Sequence, residues 1–261
     1  MEMINQELLA RLYSERLTPT GFREVSDLND IDAAFCNNIL RAFDGVVVSD
    51  TRRETRPFNE WLKRAPSDQI IYGEFDDVAS FLAAYQSSQT GRSQENSQRN
   101  RLALPIINVS RSVDFSLYTG EITKDMPWCG TLVNDANETY AVLSKTHAEI
   151  SYNVTLISDE RHTLSRMSTT LGSWLCLLAS HGVTNFKAKT RLADAELELG
   201  AELTDPKSVM FSNVSLPAQE NRVYATQAMI EVVADVLVAY AVDSATRRID
   251  VSMGVMGGQR G

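Results

Sequence analysis

The 261-residue sequence predicts an α+β fold in which a mixed or antiparallel sheet packs against an amphipathic helix, with a helical N-terminal part. Three observations predict this class. Apolar and polar residues alternate over residues 147–156, which is typical of a strand with one buried face. Residues 160–179 carry an apolar stripe at helical spacing. Residues 227–242 alternate again and are rich in valine, which favours strands.

The central strand is predicted from its even positions, which are apolar, while the odd positions from His147 to Thr155 are polar. The apolar set is Ala148, Ile150, Tyr152, Val154 and Leu156. The same register extends back to Tyr140, but strands rarely exceed ten residues. We therefore expect a break near residues 144–146, and we expect Thr155 on the solvent face.

The helix that follows is predicted to start beside Asp159 and Glu160, because carboxylates are favourable near the free N–H groups of a helix N-terminus. Its apolar face consists of Leu164, Met167, Leu171, Trp174, Leu175 and Leu178. Gly182 is suited to end the helix because glycine readily takes a positive φ. Trp174 is expected to be largely buried against the strand.

The sequence of the N-terminal third predicts mainly helices and one small strand. The predicted elements are a helix over residues 6–17, a helix from Asp27 or Asp30 that carries Ile31, Phe35, Ile39 and Phe43, a small strand at Val46–Val48, one or two helical turns over residues 58–64, and a helix capped by Asp76 and Asp77. Asp44-Gly45 is expected to end the second helix.

Residues 86–101 contain no aliphatic or aromatic side chain, so burial of this stretch cannot offset its ordering entropy. We expect an exposed linker or mobile loop that proteases cut first. The predicted organisation is a helical part over 1–85, the linker over 86–101, and an α+β domain over 102–261.

Further strands are expected in the second part of the chain. They are residues 104–111, 113–118, 195–203, 209–216, 227–242 as a long strand or a pair, and a short closing strand over 248–251 before a Gly-rich tail. The segment 227–242 also fits a helix, since Ile230, Val233, Leu237 and Tyr240 have helical spacing, but its valine content favours a strand.

Composition excludes some functions. The formal net charge of −9 argues against a protein that coats DNA non-specifically. No stretch of 18 apolar residues indicates a membrane span, and the first residues lack the pattern of a secretion signal. The three cysteines at positions 36, 129 and 176 are typical of thiols in a reducing compartment.

No pattern in the sequence predicts catalysis. Phosphate-binding loops and a nucleophile elbow are missing. His147-Ala148-Glu149 matches one half of a zinc deaminase motif, but its position on a strand's polar face favours solvent exposure. The aspartate pairs at 30/32 and 76/77 sit where helices begin. His162 and His181 read as surface or capping residues. We therefore expect no catalytic, metal-binding or cofactor-binding residues and a protein that is not an enzyme.

Two stretches carry a family resemblance. Leu104-Pro-Ile-Ile-Asn-Val-Ser-Arg111 resembles the opening strand of neck and tail-completion proteins of tailed bacteriophages. Ile150-Ser-Tyr-Asn-Val-Thr-Leu-Ile157, with the helix that follows, resembles the strand–helix core of tail terminator proteins of the sheath or tube type. The resemblance covers residues 102–261.

The resemblance implies a structural virion protein in the neck or tail. Such subunits form a hexameric ring that caps the head-proximal end of the tail, contacts the tail tube or sheath protein, and joins the head–tail connector while DNA passes through. It also implies assembly in the host cytoplasm and no membrane partner. Two alternatives stay open: a hydrolase that uses carboxylates or His147, and an assembly adaptor absent from the virion.

Overall fold

The structure is a computed structural model that describes residues 19–50, 52–75, 77–90, 104–117, 126–135, 139–216 and 223–242. The α+β prediction is confirmed: a mixed, half-barrel sheet carries the helices. The helices are α1 (Leu28–Leu40), α2 (Arg56–Leu62), α3 (Pro66–Gln69), α4 (Val78–Thr90) and α5 (Arg161–His181), with 3-10 turns at Arg41–Phe43 and Arg53–Thr55. The strands are β1 (Pro19–Val25), β2 (Ile70–Tyr72), β3 (Ile106–Leu117), β4 (Met126–Val133), β5 (Thr139–Ser158), β6 (Asn185–Leu192), β7 (Ala195–Leu203), β8 (Phe211–Asn213) and β9 (Tyr224–Val242).

Two long antiparallel strands form the centre of the sheet. β5 and β9 pair continuously from Ala141 opposite Ala241 to Ser158 opposite Tyr224. The predicted break near residues 144–146 is therefore wrong, because β9 pairs with β5 without interruption from Ala141 to Ser158. The prediction of a long strand over 227–242 is confirmed.

Shorter strands line both edges of this pair. β3 and β4 follow one another along the free edge of β5, and β2 adds a parallel strand beside the start of β3. β1, β7 and β8 pair with different stretches of β9, and among the described strands β6 pairs with β7 alone. Strands β1, β2, β4 and β6 were not predicted from the sequence. The small strand predicted at Val46–Val48 is irregular chain in the structure.

The core lies between the sheet and α1 and α5. The even-numbered face of β5 is buried as predicted, together with Leu164, Met167, Leu171 and Leu175 of α5. Gly182 ends α5 with φ 65°, and its N–H donates to the carbonyls of Leu178 and Ala179. Asp27 caps α1 by accepting a hydrogen bond from the Asn29 amide, one of the two starts that the sequence allowed.

The segments before and after residues 86–101 share one sheet and one core. Phe35 of α1 stacks on Tyr152 of β5 with ring centroids 4.0 Å apart, and β1 pairs with β9. α4 continues through Thr90, so residues 86–90 are helical rather than a linker. Residues 91–101 lie outside the described part, as do the predicted helix over 6–17 and the strand over 248–251.

Three predictions of burial are wrong. Trp174 is only half-buried at the margin of the core, because Leu171 and Leu175 face the sheet more directly. Thr155 is buried, since α4 covers this end of the opposite sheet face. His147 is buried as well, beside Asp235 of the neighbouring strand.

Candidate functional site

A buried carboxylate joins four elements beneath α1. Asp32 is 2% exposed, and it accepts hydrogen bonds of 2.6 Å from the hydroxyls of Tyr72 and Tyr152. Arg111 Nη1 lies 3.6 Å from Asp32 Oδ2. Asp32 follows Asp30 on α1 by two residues, but helical geometry turns the two side chains in different directions.

The tyrosines in this cluster are held in their neutral form. Burial raises the pKa of Tyr152 and of Tyr72 well above the usual value of 10.0, and the hydrogen bond to Asp32 raises it further. A hydroxyl that keeps its proton is a hydrogen-bond donor and not a base. The cluster therefore fixes α1 to β2, β3 and β5, with both tyrosine hydroxyls acting as donors to Asp32.

A second polar cluster lies where β7 leaves β9. Asp235 Oδ1 is 3.1 Å from His147 Nε2 and 3.4 Å from Lys145 Nζ, and Asp235 Oδ2 accepts the backbone N–H of Gly200 at 3.0 Å. β7 pairs with β9 at residues 201–203. The backbone N–H of Gly200, the next residue, donates to the Asp235 side chain instead of to β9. This cluster stabilises the point where the β6–β7 hairpin diverges from the sheet.

The structure places the other residues of the sequence analysis apart from one another. Glu149 lies on β5 near Ser116 of β3 and not in the His147 cluster. Asp77 accepts a hydrogen bond from the Ser80 amide at the start of α4, while Asp76 is outside the described residues. His162 and His181 are exposed near the two ends of α5. In the described part, no three His, Cys, Asp or Glu residues are grouped closely enough to hold a metal ion.

The most unusual surface is an open sheet edge, which we call the β3 edge and define as Ser110–Leu117. β2 pairs with β3 only at residues 107–109, and among the described residues no strand pairs with the β3 edge on the side away from β5. Val113, Phe115 and Leu117 are 79%, 56% and 56% exposed. A bulge between Arg111 and Phe115 includes Val113 and precedes Leu117. An apolar edge with free backbone donors and acceptors is a template for another strand.

The opposite edge of the sheet has a different character. β6 is also unpaired on its outer side among the described strands, but three of its four exposed positions are cationic, namely Lys187, Lys189 and Arg191, and the fourth is Asn185. Lys187 and Lys189 pair with Glu198 and Glu196 of β7 at 2.6 and 3.0 Å. Charged side chains, lysine above all, are a common protection of edge strands against pairing with another chain. Ion-paired lysines therefore protect the β6 edge, whereas the β3 edge carries a bulge and Asp114 but exposes three large apolar side chains.

The sequence predicts two strands, over 104–111 and 113–118, where the structure has the single strand β3, and it does not predict the open β3 edge. The apolar residues at 113, 115 and 117 have the spacing of an ordinary buried strand face, and nothing local indicates that β2 stops after three residues.

None of the described helices combines the length and apolarity that a membrane crossing requires. No protein-family model and no curated protein matches the chain.

Proposed function

We propose that the protein is a structural subunit of a bacteriophage neck, a tail terminator that forms a ring at the head-proximal end of the tail. The observation that carries the proposal is a difference between two edge strands: the β3 edge is open among the described strands and exposes Val113, Phe115 and Leu117, whereas the exposed lysines of β6 are ion-paired to β7. The resemblance of residues 104–111 and 150–157 to neck proteins supports the same function.

The unequal edges suit a subunit of a closed assembly. A ring needs a heterologous contact in which one surface of a subunit meets a different surface of the next. The β3 edge can supply one of these surfaces through strand addition, in which backbone hydrogen bonds give affinity and alternate side chains give specificity. The protected β6 edge disfavours continued growth of the sheet. This combination fits a protein that stops polymerisation.

The proposed function also specifies the partners of the ring and the place where it assembles. The ring is a hexamer that contacts the tail tube or sheath protein and the connector proteins, and it assembles in the host cytoplasm before it enters the virion. The formal charge of −9 supports a channel that lets DNA pass without adhering to it.

A second candidate function is a hydrolase, which the pairing of His147 with Asp235 at 3.1 Å favours. A carboxylate that orients a histidine is part of many acyl-transfer sites. The experiment is a hydrolysis assay against ester and peptide substrates, with His147→Gln as the test variant. Turnover that disappears in this variant supports the hydrolase and argues against a purely structural role.

The proposed function is tested by mass spectrometry of purified virions from infected cells. We expect the protein in the particles at a few copies per tail, with the copy number constant when tail length is altered. Presence in the infected cell but absence from purified particles overturns the proposal and supports an assembly adaptor.

A further inference from the structure

We propose that residues 248–255 of one copy add as a strand to the β3 edge of a neighbouring copy. The inference rests on the proposed ring function, and it names the contact that closes the ring. The occupant is the C-terminal segment that follows β9, beyond the described residues.

The sequence of this segment has the pattern of a strand with one apolar face. Ile249, Val251, Met253 and Val255 alternate with Arg248, Asp250, Ser252 and Gly254. A period of two places all four apolar side chains on one side of an extended chain. The segment contains no proline, so each of its residues can donate a backbone hydrogen bond to a partner strand.

The β3 edge offers a matching surface. It is eight residues long, as is the alternating segment, with a bulge between Arg111 and Phe115, and three of its side chains present apolar surface to solvent. Adjacent strands bring side chains of the same face within about 5 Å of one another. Pairing therefore removes Val113, Phe115 and Leu117 from water together with the apolar face of the added strand.

Charge also fits this occupant. Residues 243–261 contain three arginines and two aspartates, so they are net positive in a chain whose total is −9. Asp114 is exposed on the β3 edge, and Glu149 lies at its far end with Oε2 3.3 Å from Ser116 Oγ. Arg247 and Arg248 can face these carboxylates, and opposite charges across strands stabilise pairing.

Reach along the chain favours a neighbouring copy over the same copy. Leu117 lies opposite Ala148, and Ala148 lies opposite Ala234, eight residues before Val242. Those eight residues span about 26 Å along β9, and two strand spacings add about 10 Å sideways, which gives a separation of about 28 Å. The six steps from Val242 to Arg248 extend to about 21 Å at most. The whole segment therefore cannot lie along the edge of its own subunit.

The experiment is photo-crosslinking in the full chain. A p-benzoylphenylalanine replaces Phe115, and the protein is prepared in light and ¹⁵N-labelled forms that are mixed before irradiation. We expect crosslinked peptides that join position 115 to residues 248–255. Some of them should join a light peptide to a ¹⁵N-labelled peptide, which shows that the crosslink connects two copies of the chain. Crosslinks that avoid residues 243–261, or that join only light to light and heavy to heavy, overturn the inference.

Two further variants separate side-chain recognition from chance proximity. Val251→Asp in the crosslinking chain places a charge on the apolar face of the segment, and we expect it to abolish the intermolecular crosslink. Val47→Asp is the matched control, because Val47 is exposed beside Arg166 of α5 and its replacement should leave the crosslink unchanged. Equal crosslinking in both variants contradicts the inference.

The failure of this inference is distinguishable from the failure of the ring function. If Val251→Asp virions still contain the protein as a ring, the segment is not the closing contact while the proposed function stands. If the unmodified protein is absent from virions, the function itself falls, whatever the crosslinks show.

Discussion

The hydroxyl of Tyr152 donates a 2.6 Å hydrogen bond to Asp32, a residue 120 positions earlier in the chain. Tyr72 donates a second hydrogen bond of the same length to the other carboxylate oxygen. This shared acceptor attaches the first helix to the sheet, and it links segments that the sequence analysis assigned to separate parts of the chain.

Removal of the shared acceptor should destabilise the protein strongly. We expect Asp32→Ala to lower the free energy of unfolding by about 3–5 kcal/mol, because it leaves Arg111 without its ion-pair partner and two tyrosine hydroxyls without an acceptor. Urea denaturation followed by circular dichroism measures the change. Asp30→Ala, two residues earlier and half-buried, is the control, with an expected loss below about 1 kcal/mol. Similar losses at both positions would show that the cluster is not important for stability.

The same region predicts a loss of stability at alkaline pH. Burial first, and the nearby Asp32 charge second, raise the pKa of the Cys36 thiol from 9.0 to about 12. The Cys36 thiol therefore loses its proton first in the unfolded state, so its contribution to the free energy of unfolding should be constant below pH 9 and fall between pH 9 and 12. Thermal denaturation as a function of pH measures this slope.

The contribution of Cys36 is isolated by substitution. Cys36→Ala has no thiol to titrate, so we expect a shallower decline of its melting temperature above pH 9 than in the parent protein. The slope is compared after correction for the difference in stability at pH 7. An unchanged slope would assign the alkaline transition to other groups, such as Tyr72 and Tyr152, whose pKa values are also raised by burial.

The contact between Gly200 and Asp235 predicts a requirement for glycine. A Cβ at position 200 would lie 2.9 Å from Asp235 Oδ2, so Gly200→Ala must displace the carboxylate that accepts the Gly200 amide. We expect a loss of about 1–3 kcal/mol in unfolding free energy. Gly130→Ala is the control, because its Cβ would meet Leu143 at an ordinary 3.8 Å. If Gly130→Ala were the more damaging change, the role of the Asp235 cluster would be wrong.

The packing of α5 is tested by two leucines on opposite sides of the helix. Leu171 is fully buried against the sheet, whereas Leu177 is mostly exposed. Leu171→Ala should cost about 2–5 kcal/mol through lost burial and the cavity that remains. Leu177→Ala should cost roughly 0.5 kcal/mol or less by the same chemical denaturation assay. A reversed order would mean that the helix is rotated about its axis.

Local patterns predicted the elements that have one clearly buried face. The alternation around Tyr152 and the stripe through Leu171 correctly predicted β5 and α5, because each periodicity reflects contact with a single core. β6 was missed although Phe186, Ala188 and Leu192 alternate with charges, since its turn at Ala193-Asp194 uses positive φ values without a glycine. In a sequence, hairpin turns with positive φ are usually recognised by a glycine or asparagine at the central turn positions.

Features that depend on distant partners could not be predicted. The position of Asp32 in the sequence is typical of a carboxylate at the start of a helix. Its burial depends on contacts with Tyr72 and Tyr152, which are distant in the chain. The length of β5 exceeds that of a typical strand because β9 pairs with it from end to end. The β3 edge is open because β2 is short, which is a property of the fold rather than of residues 110–117.

The central claim is that the protein assembles as a ring through the β3 edge. Native mass spectrometry of the full chain, alone and after incubation with purified tail tubes, tests it most directly. We predict a hexamer, in solution or on the tubes, that Phe115→Lys abolishes while leaving the folded monomer intact. A chain that stays monomeric under both conditions, or a hexamer that Phe115→Lys does not affect, would contradict the claim.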